Sequence, residues 1–267
     1  MTDEASATTA VDRSALAAGV AGLSRFGKVR WFDSVASTNS SALLLLDDDA
    51  SRGLSIFAEE QTQGRGRAGR AWISPRGSGL HCSTILPVEL PHQVLPALGY
   101  WVSLCASDAI TEACSVWTTL KWPNDLMLGT AKASGVLIEG RTLGSFTRAV
   151  IGIGINANRP SDVPDELAGI AAWLSDLAGG PVDRTALAVT LLQTYERRFD
   201  DLVARPIDVI HEWSRRSAIA GRHLRVHDPQ GGVLHEGMAR GLSDDGGLLL
   251  ETKDGPVTVR LGDVAAL

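Results

Sequence analysis

The chain has 267 residues, 44% hydrophobic and 21% charged, with a net charge of −6. That length fits one large domain and a small one, the composition excludes wholesale disorder, and the acidic balance argues against a general nucleic-acid binder. Cys82, Cys105 and Cys114 form no C-x-x-C pair, which argues against a disulfide framework or zinc site, and no run reaches the ~20 apolar residues of a membrane helix.

Residues 1–24 are small, polar and Ala-rich, and read as a weakly ordered lead-in. They lack the basic start and apolar core of a signal peptide, so a cytoplasmic protein is expected. Residues 25–217 mix short apolar runs with helical periodicity. Residues 54–59, 80–86, 135–139 and 149–156 read as buried strands. Residues 40–46 read as a helix that the Ser37, Thr38, Asn39 run is suited to cap. Helical spacing returns over 94–113 and is clearest over 184–202, with Asp183 as the N-cap. Clustered strands without strict alternation define an α+β class. From 218 to 267 paired and single glycines punctuate short apolar runs at 224–226, 237–242, 248–251 and 257–261. Asp245-Gly246 is a hairpin signal, and the segment is expected to form a small antiparallel barrel of about five strands.

Four segments carry chemistry. In the first, QTQGRGRAGRAW (61–72) and the residues just after it, Arg65, Arg67, Arg70 and Arg76 fall within twelve residues without an acid. Gly64, Gly66 and Gly69 let the backbone turn freely and approach a ligand closely. Arginines there present planar forks to carboxylate or phosphate, and anion binding is expected to order the loop. A solvated basic loop or a nucleic-acid contact competes with this reading. The G-x-G-x-x-G match at 64–69 is not a dinucleotide fingerprint, because that motif must open a helix and Pro75 with two nearby glycines follows.

The second segment, LKWPNDL (120–126), places Lys121, Asn124 and Asp125 at a proline turn after a strand. They either face a cleft or merely stabilise the turn. In the third, KASGVLIE (132–139), Lys132 precedes a buried strand as a point charge for phosphate or carboxylate, or as a solvated strand start. In the fourth, GIGIN (152–156), glycines suggest close backbone approach with Asn156 at the strand end, or a packing accommodation. There is no Walker A sequence, kinase set or G-x-S-x-G elbow.

In this order the segments resemble the biotin–protein ligase family. Its G-R-G-R-x-G-R signature matches 64–70, K-W-P-N-D matches 121–125, K-x-x-G-[IV]-L-[IV]-E matches 132–139, S-T-N matches 37–39 and G-[IV]-G-[IV]-N matches 152–156. The resemblance covers residues 30–267. It implies a central mixed β-sheet packed with helices, as in class II synthetases, over 25–217, followed by an SH3-like β-barrel over 218–267. It also implies that Ser37, Thr38, Asn39, Gln61, Gly64, Arg65, Gly66, Arg67 and Lys132 bind biotin or its adenylate. Lys132 matches the key lysine between biotin carboxylate and α-phosphate. Arg67, Arg70, Trp72, Lys121, Asn124 and Asn156 are expected on the nucleotide side, and Lys132, Arg67 and Asp125 in catalysis.

The implied activity is ATP-dependent formation of biotinyl-5'-AMP, then transfer of biotin to a lysine of a biotin carboxyl carrier domain. Acyl-CoA carboxylases, and also pyruvate carboxylase, would supply that domain. Mg²⁺ is expected on phosphate oxygens, with no metal site built from side chains alone. The cations would offset the repulsion between two anionic ligands in a dry pocket. Asp125 is expected to orient or deprotonate the acceptor amine, which is mostly charged at neutral pH.

Ala68 stands where many relatives carry a further basic residue, so weaker loop closure is expected. Trp173 either covers the adenine or packs in the core. About 30 residues before the first motif are too few for a winged helix, so no DNA-binding function is expected. The oligomeric state is expected to be a monomer or weak homodimer, without membrane contact. Rival readings are a lipoate–protein ligase, whose resemblance lacks the paired G-R-G-R-x-G-R and K-W-P-N-D motifs, and an RNA-binding module using the arginine loop.

Overall fold

The computed structural model describes residues 10–266 except 74, 218 and 229. The first element is α1 (Arg13–Val20), capped by the Asp12 side chain on the Ser14 and Ala15 amides. The reading of 1–24 as a weakly ordered lead-in is therefore corrected for this stretch. Residues 1–9 lie outside the described residues. Leu16 and Val20 are buried. A Cβ on Gly19 would come 2.7 Å from Val189, so the small residues that made the stretch look weak are what let the helix pack closely.

The large sheet contains β1 (Lys28–Phe32), β2 (Leu54–Ala58), β3 (Gly79–Ile85), β4 (Leu90–Pro91), β5 (Thr119–Lys121), β6 (Asp125–Leu128), β7 (Ala131–Leu143) and β8 (Phe146–Asn156). Its order is β1-β2-β3-β8-β7-β6-β5, with β4 on β8. β1 and β2 run parallel, and the other neighbours are antiparallel. Strand alternation sorts the residues. Ile151, Ile153 and Ile155 enter the main core, and Val150 joins Ala42, Ile56 and Ile85 in a smaller cluster.

Three further helices contribute to the main core: α3 (Leu95–Cys114), α4 (Arg184–Ala204) and α5 (Pro206–Ser217). The Asp183 cap of α4 forms as expected, accepting from the Thr185 and Ala186 amides. The sequence reading did not anticipate α5, which buries Val209, Ile210 and Trp213. The remaining helix, α2 (Thr38–Leu43), begins two residues earlier than expected. Its N-cap is Ser37, whose side chain makes no capping bond, and the Thr38 amide in the first turn donates instead to Gln61 Oε1.

The chain ends in a five-stranded antiparallel sheet of order β12-β11-β10-β9-β13. Its strands are β9 (His223–His227), β10 (Val233–Leu242), β11 (Leu248–Thr252), β12 (Gly255–Val259) and β13 (Asp263–Ala266). The Asp245-Gly246 turn joins β10 to β11, and the Gly246 carbonyl accepts from Tyr100 Oη at 2.6 Å. Trp122 Nε1 donates to the same Tyr100 Oη at 3.1 Å. The small sheet is thereby docked on α3 and on the Trp-Pro turn.

His81 is fully buried beside Arg184, and burial, with that guanidinium, lowers its pKa to about 4. The folded value lies below the free value, so the unfolded chain binds the proton first as pH falls. Stability is therefore expected to fall from pH 6.5 downward, by about 2 kcal/mol between pH 7 and 5 from this group. Denaturant unfolding of wild type and His81→Phe at both pH values checks it, and equal losses in the two chains would contradict it.

Candidate functional site

A cavity of about 240 Å³ opens on the face of the large sheet opposite the main helical core. Its floor is made by glycines. A Cβ on Gly152 would lie 2.0 Å from Asn39 Oδ1, one on Gly154 2.4 Å from the Trp72 ring, and one on Gly135 2.8 Å from Lys132 Cε. Gly135 and Gly154 are directly paired across β7 and β8. These missing side chains leave the room that Asn39, Trp72 and Lys132 occupy over the strands, so the glycines of GIGIN accommodate side-chain packing beside the cavity.

One end of the slot is polar. Gln61 Oε1 accepts from the Thr38 amide at 2.9 Å and from Thr38 Oγ1 at 3.1 Å. Ser83 Oγ donates its one proton to Asn39 Oδ1 at 2.5 Å and lies 2.7 Å from Thr38 Oγ1. Ser37, Thr38 and Asn39 are each 3% exposed. For Thr38 and Asn39 that burial is sustained by these side-chain hydrogen bonds.

The other end is cationic. Lys132 Nζ lies 2.6 Å from Asp125 Oδ1 and 5.6 Å from the Trp72 ring centroid. Lys132 belongs to β7 itself, one residue inside its start. Its amide donates to the Ile170 carbonyl at 2.8 Å, and its carbonyl accepts from Asn156 Nδ2 at 3.2 Å. The backbone is thus fixed and the side chain is aimed across Gly135.

The arginine loop closes on itself. The Gly66 amide donates to the Arg70 carbonyl at 2.7 Å, and the Trp72 amide to the Gly64 carbonyl at 2.9 Å. Ala68 takes a left-handed conformation (φ 54°) that a residue with a Cβ adopts at a cost. Arg67 Nη1 donates to Asn124 Oδ1 at 3.0 Å. Asp263, from β13 of the small sheet, lies 2.8 Å from Arg70 and 3.7 Å from Arg67. Arg65 pairs with Glu139 at 2.8 Å. The loop's cations thus face carboxylates that anionic ligands would compete with.

Of the residues expected at the site, Ser37, Thr38, Asn39, Gln61, Arg65, Gly66, Arg67, Arg70, Trp72, Asn124, Asp125, Lys132 and Asn156 all line the cavity. Gly64 and Lys121 are not among the lining residues. Gly64 serves loop closure, since a Cβ there would meet the Trp72 carbonyl at 2.2 Å. Lys121 pairs with Asp125 as the end of the β5–β6 ladder, so the expected turn spans only residues 122–124. Trp173 is 1% exposed, carries the Arg159 guanidinium over its ring at 4.5 Å, and does not line the cavity. Sequence reasoning missed Ser83, Glu139, Asp263 and the wall formed by Leu167, Ile170 and Ala171. Only Glu139 had a local signal, as the last residue of a quoted motif.

The site thus combines a glycine-floored slot in a mixed sheet, a strand-borne lysine and an arginine loop, with a small antiparallel sheet holding Asp263 against that loop. Residues 31–156 match the Biotin/lipoate A/B protein ligase family and residues 219–265 the Biotin protein ligase C terminal domain. The bifunctional ligase/repressor BirA of Bacillus subtilis (strain 168) is 35% identical over 239 residues, covering 88% of this chain and 72% of that protein. The biotin–[acetyl-CoA-carboxylase] ligase of Mycobacterium tuberculosis is 32% identical over 246 residues, covering 89% and 90%. The structure of the biotin protein ligase from Aquifex aeolicus in complex with biotin and ATP superposes with a TM-score of 0.74 at 27% identity, over 91% of this chain and 99% of that one.

The chain belongs to the biotin protein ligase family.

Proposed function

We propose that this chain activates biotin with ATP as biotinyl-5'-AMP and then transfers the biotinyl group to a lysine of a carboxyl carrier domain. The observation that carries the reading is one cavity lined by Thr38 and Gln61 at a polar end, by the glycine floor, and by Lys132 and the arginines of the loop. Biotin's fused rings suit the floor, and its ureido group suits Ser37, Thr38, Asn39 and Gln61. Lys132 lies where a carboxylate and an α-phosphate would meet. Its charge offsets their repulsion and stabilises the charge that grows as the carboxylate oxygen attacks phosphorus and pyrophosphate leaves.

Arg65, Gly66 and Arg67 would cover the adenylate, with Arg67, Arg70, Trp72, Asn124 and Asn156 on the nucleotide side. Gly64 supports this arrangement as the closure of the loop, and Lys121 by pairing behind Asp125. Among the described residues Asp125 is the single carboxylate in the cavity wall, and it is paired with Lys132, so a divalent cation would be held chiefly by phosphate oxygens. A divalent cation such as Mg²⁺, so held, would supply charge screening for the departing pyrophosphate.

In the second half-reaction Asp125 would accept or direct the proton of the incoming amine once Lys132 is engaged by the adenylate. Asp125→Asn is expected to slow transfer from preformed biotinyl-5'-AMP by ~10²-fold. Mass analysis of an isolated carrier domain reads it out, and unchanged transfer would remove Asp125 from the step. The acceptors would be acyl-CoA carboxylase and pyruvate carboxylase carrier domains, in the cytoplasm, with the ligase a monomer or weak homodimer.

A further inference from the structure

Glu139 does not line the cavity, yet two residues that do line it meet on one of its atoms. Glu139 Oε2 accepts from Asn39 Nδ2 at 2.8 Å and from Arg65 Nη2 at 2.8 Å. Asn39 comes from α2, Arg65 from the arginine loop and Glu139 from the middle of β7. Asn39 is 3% exposed and sits in the space left by Gly152. Its carboxamide has one sensible orientation: Oδ1 accepts from Ser83 Oγ at 2.5 Å, and Nδ2 must then face an acceptor. Glu139 is that acceptor, with the Leu137 carbonyl farther off at 3.4 Å. Arg65 is the more exposed partner, with 42% of its side chain exposed. Two donors on one oxygen are not independent: moving either changes the other's bond.

We propose, resting on the ligase reading above, that Glu139 is a positioning residue that couples the biotin slot to the arginine loop. A ligand that settles against Asn39 fixes the Glu139 carboxylate, and that carboxylate sets where Arg65 stands over the slot. Occupancy of the slot thereby biases the loop before nucleotide arrives.

The test is calorimetric titration of biotin into the full chain without nucleotide. Wild type, Asn39→Ala, Arg65→Ala and the double variant form one cycle. The same cycle is repeated in a Glu139→Leu background. In the native background the double variant is expected to lose ~5-fold or more less affinity than the product of the single losses. In the Glu139→Leu background the losses are expected to multiply within about twofold. A merely structural Glu139 lowers affinity or stability without changing that interaction.

Independent effects in the native background overturn the proposal, and that cycle decides alone if Glu139→Leu fails to fold. Undiminished coupling in Glu139→Leu also overturns it. A well-folded wild type that binds no biotin contradicts the ligase reading itself, and the proposal with it.

Discussion

Lys132→Ala is expected to lower the rate of biotin adenylation by ~10³-fold while the chain stays folded. Among the described residues Lys132 Nζ is the one ammonium of the cavity wall, held at 2.6 Å from Asp125 and over the Trp72 ring. Its side chain is 38% exposed, so its loss opens no core void. On the proposed reading its worth would arise in the transition state, as charge grows on the α-phosphate. Truncation also leaves Asp125 without its cation, and a lone carboxylate repels both ligands. Lys132→Arg keeps the charge but places a wider fork over Gly135, so partial activity is expected from it. Activity of Lys132→Ala within tenfold of wild type would remove Lys132 from the chemistry.

Arg184→Ala is expected to destabilise the fold by ~3–5 kcal/mol. Arg184 is 2% exposed at the start of α4. Its Nη2 donates to Glu59 Oε1 at 2.8 Å and its Nη1 to the Gly79 carbonyl at 3.0 Å. Removing the guanidinium strands a Glu59 carboxylate whose side chain is only 13% exposed. The loss also reaches the site, because Gly79 pairs with Asn156 across β3 and β8. Denaturant unfolding measures the change, and thermal melting is expected to drop by about 10 °C for a chain of this size. Replacing both partners, as Arg184→Met with Glu59→Leu, is expected to recover much of the loss. A shift below 1 kcal/mol in Arg184→Ala would show that the pair does not hold α4 to the sheet.

Much of this was legible in the sequence where local pattern carries it. The alternation of isoleucine and glycine over 151–156 announces a strand with one packed face and one bare face. Asp183 announces the start of α4. The arginine loop, the Trp-Pro turn and Lys132 were each visible as chemistry without a home, and the fold brings them to one cavity. What was illegible depends on partners far along the chain. Arg65 and Glu139 are 74 residues apart, and no spacing rule joins them. Asp263 reads as an ordinary strand-end acid until β13 is seen to hold it against Arg70. The Ala-rich α1 looked weak because its stability comes from packing against α4 and not from its own sequence. The Ser-Thr-Asn run looked like a helix cap because those residue types usually are one. Here Thr38 and Asn39 hydrogen-bond into the site, and a tertiary demand overrides a local one.

The most direct test of the central claim is pyrophosphate release from Mg-ATP with and without biotin, with hydroxylamine as the trap and no acceptor protein present. The account predicts release that depends on biotin in wild type and collapses in Lys132→Ala. A folded wild type that releases no more pyrophosphate with biotin than without it would contradict the account.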